Sequence, residues 1–348
     1  MAEFHKVNIQ EIKQETASAV SVVFSIPENL KADFNFTAGQ YVTLQKEIKG
    51  ETIRRAYSIC STPASGEIRV AIKKVEKGVF STYATSDLKV GDAIEITAPE
   101  GRFLLNPEVH KNYIGFAAGS GITPILSMLK SVLIKEPTAT FTLIYGNKSA
   151  IDTIFYKELN QLKETYIDRL KLHYIFSREN VKNNLRGRID GNVTNYFVKN
   201  MYKETSFDAA YLCGPEQMIH EVSKTLENNK IAKENIYFEL FTASVDEGAA
   251  SKVKEGATEV IILLDDEVTT FSMPQTDNIL AASLRNNIDA PYSCQGGVCS
   301  SCLGKVTEGK AVMVKNSILT DGEIEDGFIL TCQAHPTTPK ITIDFDDV

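Results

Sequence analysis

The 348-residue chain is expected to fold as three domains: an antiparallel β-barrel, an α/β domain on a parallel sheet, and a small α+β domain. Three observations predict this. Short alternating strands, separated by Gly and Pro turns at intervals of about ten residues, fill roughly the first 105 positions. From about Lys111, apolar strands alternate with segments of helical periodicity. Four cysteines then gather near the C-terminus.

The elements follow in order. HKVNIQEIKQ, AVSVVFSIP, GQYVTLQKEI, RRAYSIC, GEIRVAIKKVE and DAIEITAPEG carry strand patterning. NYIGFAA is an apolar strand, GSGITP a turn, and ILSMLKSVLI a helix. TFTLIYGN, RLKLHYIFS and FDAAYLCGP are further strands, and QMIHEVSKTLENN sets Met218, Ile219, Val222 and Leu226 on one helix face. ASVDEGAASKVKEGATE has no apolar period and reads as a linker. A hairpin (EVIILLDDEVTTFSM), a short helix (DNILAASLRNN), a cysteine loop and final strands ending in ITIDF follow. The expected limits are 1–108, 109–242, a linker 243–257, and 258–348.

Composition narrows the class. Hydrophobic content of 43% and charged content of 24% fit a folded globular chain. Six cysteines are too few for a disulfide scaffold. The N-terminal MAEFHKVNIQEIKQE lacks the apolar core of a signal peptide. The longest apolar runs, such as VIILL, are strand-sized, so no membrane span is expected. A cytoplasmic protein is the expectation. A net charge of −8 argues against nucleic-acid binding. From Thr258 onward there are five Lys+Arg and fourteen Asp+Glu, so the acidity belongs to the last domain. It serves either solubility or docking of a basic partner, and charge alone allows both.

The cysteines read C-x4-C-x2-C-x29-C: Cys294, Cys299, Cys302 and Cys332. A [2Fe–2S] cluster needs four thiolates, two per iron, and this is the plant-type ferredoxin spacing. Gly296 and Gly297 let the loop turn backbone N–H groups toward the sulfurs. Structural zinc sites instead place cysteines as two short pairs on separate knuckles.

Within RRAYSIC, Arg55-x-Tyr57-Ser58 is similar to the flavin-binding R-x-Y-[ST] signature of the ferredoxin–NADP reductase superfamily. VAIKKVEKGVFSTYA resembles that family's second flavin segment, and Pro99-Glu100-Gly101-Arg102-Phe103 its barrel-closing P-x-G-x-F. The resemblance implies bound FAD. Arg55 would pair with a phosphate, Tyr57 would lie against the isoalloxazine, and Ser58 would hydrogen-bond the ring edge. Ile72, Lys73 and Gly78 would line the flavin, with Ser81 and Thr82 opening a helix toward the pyrophosphate. Gly119, Ser120, Gly121, Thr123 and Pro124 are similar to the family's G-x-G-[IV]-[TA]-P nicotinamide-nucleotide turn, not to G-x-G-x-x-G. Cys213, Gly214 and Pro215 resemble its C-G-P turn beside the nicotinamide.

Ser177 and Arg178 resemble the pair that grips the 2′-phosphate of NADPH, and Arg188 and Lys148 could assist. Glu179, next to them, is the residue type NADH would use. The resemblance implies a flavin barrel, a nicotinamide domain and a β-grasp ferredoxin domain in the order of oxygenase reductase components. RRAYSIC, AAGSGITP, LIYGN, GRIDG and GGVCSSC are similar to the reductase subunits of phenylacetyl-CoA epoxidases, implying a di-iron oxygenase as acceptor. Reductases of Rieske-type oxygenases or steroid hydroxylases share the order. A non-enzymatic iron–sulfur carrier is the alternative of another class. In the relay NADPH gives a hydride, FAD splits it, and the cluster carries single electrons. No side chain is expected to act as general acid, base or nucleophile.

Overall fold

The computed structural model describes residues 3–108, 110–180, 185–242 and 245–348. Val109 and Ala243, which open two of the expected segments, lie outside the described residues. The chain divides into two compact units, Phe4–Glu239 and a second that contains Leu240–Val348.

The first unit begins with β1 (Phe4–Thr16), β2 (Ala19–Ser25), β3 (Tyr41–Ile48), β4 (Glu51–Ser58), β5 (Ile68–Lys73), the helix α1 (Val79–Ser86) and β6 (Ala93–Thr97). They form one antiparallel sheet in the order β4-β3-β6-β1-β2-β5. A bridge between Ile59 and Val70 joins the two edges and closes the barrel. Successive side chains alternate between faces. Val20, Val22 and Phe24 of β2 therefore join Leu44, Val70, Ile72, Ile96 and Phe80 in the barrel core. The opposite face of β2 is buried too, because Ala19 packs into the core of the α/β layer. That double burial explains why AVSVVFS is apolar on both faces except at its serines.

The α/β layer comprises β7 (Asn112–Ala118), α2 (Ile122–Lys135), β8 (Thr140–Asn147), α3 (Tyr156–Thr165), β9 (Leu170–Phe176), β10 (Leu185–Arg186), α4 (Gly191–Asn195), β11 (Ala209–Cys213), α5 (Glu216–Asn228) and β12 (Ile236–Glu239). The six strands are parallel, in the order β10-β9-β8-β7-β11-β12. α2 is buried on most of its surface. It packs on the sheet and also meets the barrel, where Ser127 Oγ donates to Ser61 O at 2.6 Å. A helix covered on two sides has no use for a polar face. Beside it, Arg69 of β5 pairs with Glu15 of β1 at 2.9 Å and Glu158 of α3 at 3.2 Å. Lys130 of α2 completes the group, 2.8 Å from Glu158.

The second unit holds α6 (Glu247–Ala250), β13 (Ala257–Leu264), β14 (Glu267–Pro274), α7 (Ile279–Arg285), β15 (Leu303–Glu308), β16 (Ala311–Met313), α8 (Asp321–Glu325), β17 (Phe328–Leu330), β18 (Ala334–Pro336) and β19 (Lys340–Asp344). β13 pairs antiparallel with β14 and parallel with β19, the β-grasp arrangement. Asp265 and Asp266 take φ of 54° and 62°, as a two-residue type I′ hairpin turn requires. The expected linker carries one helical turn, α6, whose N-cap Asp246 also donates its N–H to Val314 O at 2.7 Å.

Candidate functional site

β7 and β11 lie side by side, with Ala117 opposite Cys213. From this pair the strand order runs outward, through β8, β9 and β10 on one side and β12 on the other. Open α/β sheets bind ligands at such a reversal, beyond the carboxyl ends of the strands. The loops there are the two turns expected from sequence. Gly119 takes φ +55°. A Cβ on Gly121 would stand 2.1 Å from Cys213 O, so only glycine permits this approach. Thr123 Oγ1 donates to Ser120 O at 3.0 Å. Pro124 is the third residue of α2, within the first turn where an N–H has no intrahelical acceptor. Gly214 closes the arrangement, with Ala118 Cβ 3.1 Å from where its own Cβ would be.

β4 sets Arg55 and Tyr57 on one face and Ser58 on the other. Arg55 is exposed, and the Tyr57 ring lies 5.7 Å from that of Phe80 on α1. Burial holds the Tyr57 hydroxyl well above its ordinary range, although Arg55 works the other way. Ser58 is buried, and its Oγ donates to Glu239 Oε2 at 3.2 Å. Glu239 ends β12 opposite Cys213. Burial pushes its carboxyl up to about 8, outweighing the hydrogen bond from Ser58. Burial also raises the Cys213 thiol, and Glu239 adds to the effect. Sequence reading found Ser58 and Cys213 but missed Glu239 and the short strand that carries it. The available signal was an acid ending the brief apolar run IYFE.

The second flavin segment differs in detail from expectation. Ile72 is fully buried in the barrel core, so only its backbone can face a ligand. Lys73 points to the nucleotide turn: its Nζ would be 3.5 Å from a Cβ on Gly119. Burial, then the charge of Lys148, lowers the Lys73 pKa. The helix α1 opens at Val79, two residues before Ser81, with Gly78 as its N-cap. Ser81 Oγ accepts from Val75 N at 3.1 Å and closes that turn. Thr82 N donates to Gly78 O at 3.0 Å, inside the helix.

At the carboxyl end of β9, Ser177 N donates to Asn147 O at 3.0 Å and Arg178 N to Lys148 O at 2.9 Å. Arg178, Arg188 and Lys148 are exposed. Glu179 Oε2 accepts the Ala150 N–H at 2.7 Å, which ties its carboxylate to the loop after β8.

In the second unit the four cysteines pair two and two. Cys299 Sγ donates to Cys294 Sγ at 3.0 Å. Cys302 is likewise hydrogen-bonded to Cys332. The bond from Cys299, joined by N–H groups of Gly296, Val298 and Cys299, brings the Cys294 thiol down to about 6. Cys332 is lowered chiefly by Cys302. Gly297, at φ +72°, leaves no room for a Cβ, which would meet Lys315 O at 2.9 Å. Gln333 Nε2 spans Gln295 O at 3.0 Å and Cys332 Sγ at 3.8 Å. Among the described residues no three His, Cys, Asp or Glu side chains converge to hold a single metal ion. Two thiol pairs supplied with N–H donors fit a two-iron cluster better than one tetrahedral zinc.

Likeness to known proteins agrees with this geometry. The description "Oxidoreductase FAD-binding domain" matches residues 6–104 and "Oxidoreductase NAD-binding domain" residues 116–224. "2Fe-2S iron-sulfur cluster binding domain" matches residues 262–337. The chain is 36% identical to one of the 1,2-phenylacetyl-CoA epoxidase subunits of Escherichia coli K12, over 99% of each protein. It is 30% identical to the ferredoxin reductase component of 3-ketosteroid-9-alpha-monooxygenase of Rhodococcus rhodochrous, over 97% of this chain and 96% of that one. Phthalate dioxygenase reductase shares the fold with a TM-score of 0.64 at 23% identity, covering 98% of both chains. The chain belongs to the ferredoxin–NADP reductase superfamily, as an oxygenase reductase component built from FAD-binding, nicotinamide-nucleotide-binding and [2Fe–2S] domains.

Proposed function

We propose that this chain is the reductase of a phenylacetyl-CoA epoxidase system, passing electrons from NADPH through FAD and the [2Fe–2S] cluster to a di-iron oxygenase component. The observation that carries the choice of acceptor is the full-length, 36% likeness to the epoxidase protein of Escherichia coli. When bound, FAD takes a hydride and releases electrons singly, and the cluster carries one at a time. Arg55 would pair with a flavin phosphate, Tyr57 would cover the ring, and Ser58, turning its one hydroxyl proton from Glu239, would donate to its edge. The Ile72 backbone, Gly78, and the first turn of α1 with Ser81 and Thr82 complete the flavin site. Lys73 serves the nicotinamide cofactor as well, from the barrel side of Gly119. Gly119, Ser120, Gly121, Thr123 and Pro124 receive the pyrophosphate, and Cys213, Gly214 and Pro215 shape the nicotinamide pocket. Glu239 holds a proton at neutral pH beside Ser58 and Cys213. Cys294 and Cys299 would hold one iron, and Cys302 and Cys332 the other.

For NADPH over NADH, the support is the cationic set of Arg178, Arg188 and Lys148 with Ser177, while Glu179 is engaged by Ala150. We take the domain limits as 1–108, 109–242 and 258–348, and place the protein in the cytoplasm, where thiolates stay reduced. Among the described residues no helix is long and apolar enough to cross a membrane.

Reconstitution with purified oxygenase components tests the reading. NADPH-dependent epoxidation of phenylacetyl-CoA, coupled to this chain, is the expected result. Coupling only to a 3-ketosteroid hydroxylase would favour the second relative. A flavin-free brown protein that oxidises no NADPH would mean a simple iron–sulfur carrier. A kcat/KM ratio favouring NADH would overturn the cofactor choice.

A further inference from the structure

Tyr145 lies near the carboxyl end of β8, and its side chain is fully buried. Its hydroxyl is 2.9 Å from Gly119 O and 3.4 Å from Ile154 O. A phenol has one proton, so the nearer carbonyl takes it and the second shares it. Burial raises its pKa, so it donates at any working pH. Gly119 O also accepts the N–H of Ile122, the first residue of α2.

The consequence follows from the planar trans peptide, in which a carbonyl and the next N–H point in opposite directions. With the Gly119 carbonyl held toward Tyr145 in the core, the Ser120 N–H faces away from that hydroxyl. Gly119 needs its positive φ to do this. Ile154 belongs to the connection from β8 to α3, which also carries Lys148 and Asp152. Both of these act on Lys73. One hydroxyl thus ties the glycine turn to the loop bearing a neighbouring cation.

We propose that Tyr145 is a positioning residue for the nicotinamide cofactor: its hydroxyl fixes the Gly119–Ser120 peptide so that the Ser120 N–H meets the pyrophosphate. The proposal rests on the reading of this turn as the cofactor's pyrophosphate site.

The test is Tyr145→Phe in the full-length protein loaded with FAD and cluster. Flavin and iron content and the flavin reduction rate at saturating NADPH stay near wild type. KM for NADPH and the inhibition constant of ADP-ribose rise about fivefold to tenfold, the worth of one hydrogen bond. The inhibition constant of adenosine 2′-monophosphate, which has no pyrophosphate, does not move. Tyr174→Phe removes another hydroxyl from the same core, one bonded to Asn160 at 3.2 Å, and leaves all three constants unchanged. Unchanged ADP-ribose inhibition in Tyr145→Phe, or an equal loss for adenosine 2′-monophosphate, overturns the proposal while leaving the cofactor site standing. A wild-type protein that neither oxidises NADPH nor binds ADP-ribose overturns both.

Discussion

Ser58 and Glu239 stand 181 residues apart in the chain yet share a hydrogen bond, with Cys213 in register beside the carboxyl. A carboxyl raised to about 8 keeps its proton in the folded state over a range where the unfolded chain has lost it. The folded form then binds more protons, so stability should fall as pH rises from about 4.5 to about 8. Denaturation of wild type and Glu239→Gln across that range checks this: the variant should lack the slope. The rate of flavin reduction by NADPH should likewise lose its inflection near pH 8 in the variant. Gly121→Ala forces a Cβ against Cys213 O, so affinity for NADPH should drop at least about tenfold, measured by titration. The glycines, the cysteines and Arg55-x-Tyr57-Ser58 were legible because each forms a local pattern. Glu239 was not, because nothing near it in sequence says that burial will hold it neutral.

At the scale of elements, the half-buried group of Arg69, Glu15, Glu158 and Lys130 joins β1 and β5 of the barrel to α2 and α3. Arg69→Ala takes one of two cations from each carboxylate, leaving Lys13 on Glu15 and Lys130 on Glu158, and should cost about 1–3 kcal/mol, read from urea unfolding. Burial would raise the Glu158 carboxyl, but Lys130 and Arg69 hold it below its usual value. Its contribution is therefore complete above the unfolded value of 4.5 and lost as pH falls through the lower folded one. Sequence periodicity found all six barrel strands and the apolar run of α2, because burial patterns repeat along the chain. It missed β12, whose four residues at the sheet edge are too few to show a period and include exposed Tyr237 and Phe238. It also read α6 as linker, since one turn capped by Asp246 has no apolar face to announce it.

Across the whole molecule, the two compact units divide the chemistry. Phe4–Glu239 carries the flavin and nucleotide motifs, and the cluster cysteines belong to the other unit. Cys332→Ser should therefore abolish the iron–sulfur signal and transfer to the oxygenase. It should leave FAD bound and NADPH-dependent ferricyanide reduction within about twofold of wild type, because no cluster ligand lies in the first unit. The domain order was legible from three independent motif sets. The acceptor was legible only through the resemblance of several motifs, because in the proposed relay its organic substrate does not touch this chain. In the proposed relay one polypeptide turns a hydride into single electrons. Anaerobic titration of the purified protein with NADPH, followed by flavin absorbance and by electron paramagnetic resonance, tests it most directly. Bleaching of the flavin together with the signal of a reduced [2Fe–2S] cluster is the expected result. Flavin that is reduced while the cluster stays oxidised, or metal analysis that finds zinc in place of iron and sulfide, would contradict it.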